Sequence, residues 1–151
     1  MSDVNSHLPE GAPLHELNIP VRWGDMDSLG HVNNIVYFQF FESVRMDWLE
    51  KLRSTHPDKS DIQDQGIVIV DNHAEYLVPV MCPATVKVRM AAHSPRRSSF
   101  VSTYTITVDD TLTTRGHARI VWVSNLDMKS TPMPEYIRQL IDKEKGQWIG
   151  R

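Results

Sequence analysis

Apolar positions in the first third of the chain change from a weak alternation to a helical stripe across a polar, glycine-punctuated stretch. Leu14 to Trp23 alternates and predicts a first strand, with Pro20 marking an edge or a strand end. Tyr37, Phe41, Val44, Trp48 and Leu52 then recur at spacings of three and four, which predicts a helix. Ile35, Phe38, Phe40 and Leu49 add apolar surface off that stripe, so the first turns are expected to be covered on most sides. Gln39, Glu42, Asp47, Glu50 and Lys51 mark a wetter flank. Asn33 or Asn34 is placed to cap the helix, and Thr55-His56-Pro57-Asp58 to end it.

After a polar link from Lys59 to Gln65 the period changes to two. Ile67 to Val78 is β-branched and aromatic, and Pro79 stops it. Ala84 to His93 alternates, as does Phe100 to Val108; Asp109-Asp110 reads as a turn, and Thr113 to Ser124 as the last strand. Pro134 to Lys145 predicts a terminal helix with Ile137, Leu140 and Ile141 on one face. Successive strands with short turns argue an antiparallel sheet. The order of one strand, one buried helix and several strands predicts an α+β domain in which a curved sheet wraps the helix. Sheet edges left bare by that arrangement are natural dimer contacts.

Composition narrows the function classes. The chain has 151 residues, 40% hydrophobic and 23% charged, and a formal net charge of -3, which suits one domain with a real core. Nothing points to nucleic acid or a membrane surface as partner, and no apolar run is long enough to span a bilayer. Residues 1–13 are polar, with Pro9, Gly11 and Pro13, and read as a flexible arm ahead of a single domain over 14–151. Cys82 is the only cysteine, which fits a reducing cytoplasm and excludes an internal disulfide. The seven histidines are scattered without metal-ligand spacing, so neither a metal nor a cofactor is expected.

Chemistry concentrates in Arg22-Trp23-Gly24-Asp25-Met26-Asp27-Ser28-Leu29-Gly30-His31-Val32-Asn33-Asn34. A calcium loop fails because Leu29 and Val36 stand where oxygen ligands belong. An Asp-x-Asp phosphatase nucleophile needs a βα alternation that this chain lacks. Asp25, Asp27 and Gly30 are also ordinary turn residues, and His31 an ordinary residue of a helix end. A loop that delivers a carboxylate to the positive end of a buried helix is equally a place to polarise and attack a carbonyl.

Arg22-Trp23-x-Asp25-x-Asp27-x-x-Gly30-His31-Val32-Asn33-Asn34-x-x-Tyr37, with Glu42 and Arg45 downstream, resembles the hot-dog-fold acyl-CoA thioesterases of the 4-hydroxybenzoyl-CoA thioesterase type. It is also similar to the acyl-carrier-protein thioesterases of plants. The resemblance implies a long central helix wrapped by a five-stranded antiparallel sheet, in homodimers or homotetramers with active sites at the subunit interface. It implies hydrolysis of an acyl-CoA thioester, with Asp27 as nucleophile or general base and a backbone N–H near Asn34 polarising the carbonyl. Asp25 would fix the loop, His31 would polarise or position, Gly30 would bind substrate, and Tyr37 would line the acyl pocket or pack in the core. Arg96, Arg97, Ser98 and Ser99 form a variant of the family's phosphate-binding turn, or a basic hairpin tip in water. The apolar Pro79-Val80-Met81-Cys82-Pro83-Ala84 departs from the family's acidic step, and nothing is carried over to it. Hydrolysis of acyl groups on a carrier protein and a non-catalytic acyl-CoA-binding module are the alternatives on the same fold.

Overall fold

The protein folds as one antiparallel sheet around one long helix. The structure, a computed structural model, describes residues 7–142. Strand β1 (Ala12–Pro20) leads through a short 3-10 turn (Trp23–Asp25) into α1 (Val36–Thr55) and a one-turn α2 (Ser60–Gln63). Strands β2 (Gln65–Tyr76), β3 (Thr85–His93), β4 (Ser99–Val108) and β5 (Thr111–Ser124) follow, then α3 (Glu135–Asp142). The strands order as β1-β3-β4-β5-β2, so β2, which follows the helix in sequence, forms an outer edge. Every pairing is antiparallel. This is the wrapped-helix α+β arrangement that the sequence predicts.

The stripe Tyr37, Phe41, Val44, Trp48 and Leu52 is buried, as its spacing requires. Phe41 stacks on Tyr104 of β4 at 4.5 Å, and Trp48 meets Phe100 edge-on at 6.2 Å. Gly116 of β5 makes the first contact possible, because a Cβ there would lie 2.5 Å from the Phe41 ring and 2.9 Å from the His73 carbonyl. Arg45 enters the same core at 4% exposure. Its guanidinium donates to the Tyr104 hydroxyl at 3.1 Å and lies over that ring, 5.7 Å from its centre. A charge held between a phenol oxygen and a π face recovers part of its lost hydration.

The helix keeps its expected wetter flank, but its first turns are less covered than expected. Ile35 is 60% exposed and Met46 46%. Five strands curl around one side of α1 only, so Gln39, Glu42, Ser43, Asp47 and Glu50 remain exposed on the other. α1 also starts at Val36 with no side-chain cap at Ile35. Asn33 instead accepts the Ile35 N–H on its side chain at 3.2 Å and the Val36 N–H on its carbonyl at 2.9 Å, one step ahead of the helix.

Strand limits shift for hydrogen-bonding reasons. β1 begins at Ala12 opposite Ala92 and ends at Pro20 opposite Thr85, so Val21 to Trp23 leave the ladder. Ala12 and Pro13 therefore belong to β1, and the Thr103 hydroxyl donates to the Glu10 carbonyl at 2.5 Å. β2 stops at Tyr76, and the N–H groups of Leu77 and Val78 both reach the Thr113 carbonyl. Asp109 and Asp110 both take positive φ, +47° and +64°, and form the tight β4–β5 hairpin. Pro134 precedes α3, and the expected end of that helix at Lys145 lies outside the described residues.

Replacing Gly116 by Ala forces a methyl into the Phe41 ring and a carbonyl, and is expected to cost about 1–3 kcal/mol. Urea unfolding reads this as a lower midpoint with an unchanged slope; a midpoint equal to the parent's contradicts the packing described.

Candidate active site

The segment from Arg22 to Ile35 is organised by its own hydrogen bonds. Asp25 is buried, accepts the Arg22 N–H on its carboxylate at 2.8 Å, and accepts the Asn33 N–H on its carbonyl at 2.8 Å. It is a latch that closes the loop, the role expected for it. Met26 and Val32 form an isolated antiparallel bridge. Beyond it the Asp27 N–H donates to the His31 carbonyl at 2.7 Å, and the Gly30 N–H to the Asp27 carbonyl at 3.1 Å. Gly30 sits at φ +79°, a conformation that L side chains rarely adopt. The Val32 N–H donates to the Val80 carbonyl at 2.8 Å and pins the loop to the segment after β2.

That turn holds the Asp27 carboxylate in place. Its Oδ1 accepts the Leu29 N–H at 2.9 Å and the His31 N–H at 3.3 Å. No hydrogen bond among the described residues engages its Oδ2. Asp27 lines a cavity of about 300 Å³ together with His31, Asn34 and Tyr37. Val32, Tyr76, Leu77, Val78 and Pro79 complete the wall. The carboxylate, the imidazole and the helix start expected to act together are thus gathered at one hollow. The Asn34 N–H has no acceptor among the described residues. With an oriented carboxylate and an unused amide lining one cavity at a helix N-terminus, the amide can bind a carbonyl oxygen while the carboxylate brings a nucleophile to its carbon.

Tyr37 supplies a neutral wall. Burial pushes its phenol above the ordinary 10.0, and Tyr76 and Asp27 push it further, while a backbone hydrogen bond at Val80 opposes them. Burial raises Tyr76 as well. The two rings meet edge-on at 4.9 Å. Tyr76, Leu77, Val78 and Pro79 are not site residues that the sequence singles out. Their one signal is a strand that ends in Tyr-Leu-Val just before a proline, and only pairing with β5 shows that this end reaches the loop.

The Arg96–Ser99 turn lies elsewhere. It joins β3 to β4 at the far end of β3 from the loop, and nine residues of strand span about 30 Å. The Arg96 N–H donates to the Ser99 carbonyl at 2.7 Å, the Arg97 carbonyl accepts from Met133, and the Ser98 carbonyl from Trp122. Both guanidinium side chains are exposed. Within one chain these residues do not meet Asp27, and Gly30 shapes the turn without lining the cavity. A larger cavity of about 410 Å³ lies against His73, His93 and His117, and gathers none of the candidate residues. Among the described residues no group of His, Cys, Asp or Glu is arranged to hold a metal.

Comparison with known proteins places this geometry. A family profile, the thioesterase-like superfamily, matches residues 21–141. The PA2801 protein of Pseudomonas aeruginosa, a thioesterase candidate, superposes with a TM-score of 0.74 at 39% identity over 85% of this chain and 98% of that one. A thioesterase of Thermus thermophilus, solved with coenzyme A and Zn, gives 0.68 at 26% identity, over 84% and 96%. The DHNA-CoA thioesterase of Staphylococcus aureus gives 0.68 at 22% identity, over 82% and 83%, a likeness of fold. The uncharacterized YsmA protein of Bacillus subtilis is 32% identical over 63 residues, which cover 42% of this chain and 40% of that relative.

The raised phenols have a consequence for stability. A phenol kept neutral by the fold loses its proton first in the unfolded chain, so its contribution is complete below the ordinary value and fades as pH rises through the folded one. The melting temperature is expected to fall as pH rises above the ordinary phenol value of 10.0, less steeply in Tyr37→Phe. Equal slopes for the two proteins would contradict the burial of Tyr37.

Proposed function

The chain belongs to the thioesterase-like superfamily, and on that premise we propose that it hydrolyses acyl-CoA thioesters of the 4-hydroxybenzoyl-CoA thioesterase type. The observation that carries the reading is the convergence of Asp27, His31 and Asn34 on one cavity. The thioester oxygen accepts from the Asn34 N–H, which stabilises the charge that grows as the carbon is attacked. Asp27, oriented through Oδ1, attacks that carbon directly or takes a proton from an attacking water. As the C–S bond breaks, Asp27 acting as base passes the water's proton to the departing sulfur; acting as nucleophile it forms an anhydride that a water opens, giving the free acid, restoring the carboxylate and supplying the proton that leaves coenzyme A as a thiol. His31 positions the carboxylate through its backbone N–H. The acyl group rests on Val32, Tyr37, Leu77 and Val78.

The active unit in this reading is a homodimer or a pair of dimers. β2 is an edge strand, and along it and just beyond it Val70, Tyr76, Leu77 and Val78 are all more than 40% exposed. Antiparallel pairing of β2 with a second copy covers that edge. Ser99 lies opposite Val121, which pairs with Val68 near the start of β2, whereas Tyr76 is its end. A two-fold axis therefore sets the second copy's Arg96–Ser99 turn at the Asp27 end of this chain, about two strand spacings, or roughly 10 Å, in from the edge. Guanidinium groups there suit the phosphates of coenzyme A. A cytoplasmic location completes the proposal. Among the described residues no helix is long and apolar enough to cross a membrane.

Thiol release from short, long and aromatic acyl-CoAs tests the assignment. Asp27→Asn is expected to lower kcat by at least about a hundredfold with an unchanged melting temperature; a variant as fast as the parent refutes the role of Asp27. Faster turnover of acyl groups on carrier protein than on coenzyme A would move the substrate to the protein-bound class. Arg96→Ala with Arg97→Ala is expected to raise KM for acyl-CoA by roughly tenfold and to leave a phosphate-free N-acetylcysteamine thioester unaffected. Equal effects on both substrates would remove the phosphate role.

A further inference from the structure

Resting on the thioesterase reading above, we propose that Tyr76 is a positioning residue: its hydroxyl fixes the peptide next to the amide that receives the thioester oxygen. Tyr76 is the last residue of β2 and pairs with Thr114. Its hydroxyl crosses to the loop and donates to the Asn34 carbonyl at 2.8 Å. Its ring stands edge-on to Tyr37 at 4.9 Å, and both rings face the cavity that holds Asp27.

Hydrogen-bond accounting around Asn34 gives this contact its weight. The peptide between Asn34 and Ile35 is held at both ends, its N–H by the Asn33 side chain at 3.2 Å and its carbonyl by Tyr76. The preceding peptide is held at its carbonyl by the Val36 N–H at 2.9 Å. What these bonds leave over is the N–H of Asn34. The helix start has no side-chain cap at Ile35, so the first turn relies on these neighbouring bonds for its orientation. A donor whose own peptide and the next are both clamped keeps its direction before substrate arrives, and such preorganisation is what makes an amide effective toward a developing oxyanion. Without the hydroxyl the Asn34 carbonyl is free to turn to water and carry the adjoining amide with it.

The clamp comes from the strand that carries the exposed edge and not from the loop itself. It therefore ties the donor to the placement of β2. The phenol stays protonated as a donor, since burial raises it above the ordinary value.

Tyr76→Phe keeps the ring against Tyr37 and removes only the hydroxyl, so it separates positioning from packing. The expected result is a kcat lowered about ten- to a hundredfold with KM within about twofold, the scale of a small misplacement at a reacting centre. Tyr76→Leu, which removes the ring too, is expected to raise KM as well. A second readout needs no turnover. The ketone analogue of an acyl-CoA keeps the carbonyl, with CH2 in place of sulfur, and the thioether analogue lacks the carbonyl. Tyr76→Phe should weaken the ketone several-fold and leave the thioether unchanged. Parental kcat in Tyr76→Phe, or equal weakening of both analogues, overturns the positioning role while Asp27→Asn still reports on the hydrolase. A parent protein inert on every thioester removes the premise and the proposal together.

Discussion

Burial of α1 is the constraint on which the rest of the molecule depends. A helix of twenty residues is marginal by itself in water, and its stability has to come from packing. Five strands supply it by curling over the face that carries Phe41, Val44 and Trp48. The fit is tight enough to require glycine at position 116, opposite the Phe41 ring. With the helix fixed against the sheet, its N-terminus is fixed as well, and the chain between Pro20 and Val36 has to close the gap. Asp25 closes that gap, and Asp27 is oriented as the turn is completed. The arrangement of carboxylate and amide at the helix start thus follows from a packing requirement.

Much of this was legible in the sequence. The stripe on α1 and the alternation in β3 and β4 are strong periodic signals, and the structure contains each of those elements. The Asp25–Asn34 loop was legible because its carboxylates, glycine and amides are local, and local hydrogen bonds organise it. The wall opposite the loop was not. Tyr76, Leu77 and Val78 reach the cavity only through the register of β2 on β5, and no spacing along the chain encodes that. The wetter flank of α1 was legible in Gln39, Glu42, Asp47 and Glu50, but the exposure of Ile35 was not, because an apolar residue looks alike in sequence whether the sheet covers it or leaves it bare.

The Arg96–Ser99 turn shows how a family pattern and a single chain can diverge. Its residues match a phosphate-binding turn by composition, yet the topology sets them at the opposite end of the sheet from Asp27. The same topology leaves β2 as an edge with apolar side chains in the open. A two-fold pairing of that edge answers both observations at once. In the proposed dimer it would hide the exposed strand and bring the other copy's basic turn to the Asp27 end.

The account stands on a single polarised bond, the carbonyl of the bound acyl group. Infrared difference spectroscopy of a thioester labelled with 13C at the carbonyl, bound to Asp27→Asn protein, reads that bond directly. If the Asn34 amide receives the oxygen, the carbonyl stretch moves to lower frequency on binding. A stretch unchanged from that of the free ester in water would show that the helix start does not receive the carbonyl, and would contradict the mechanism.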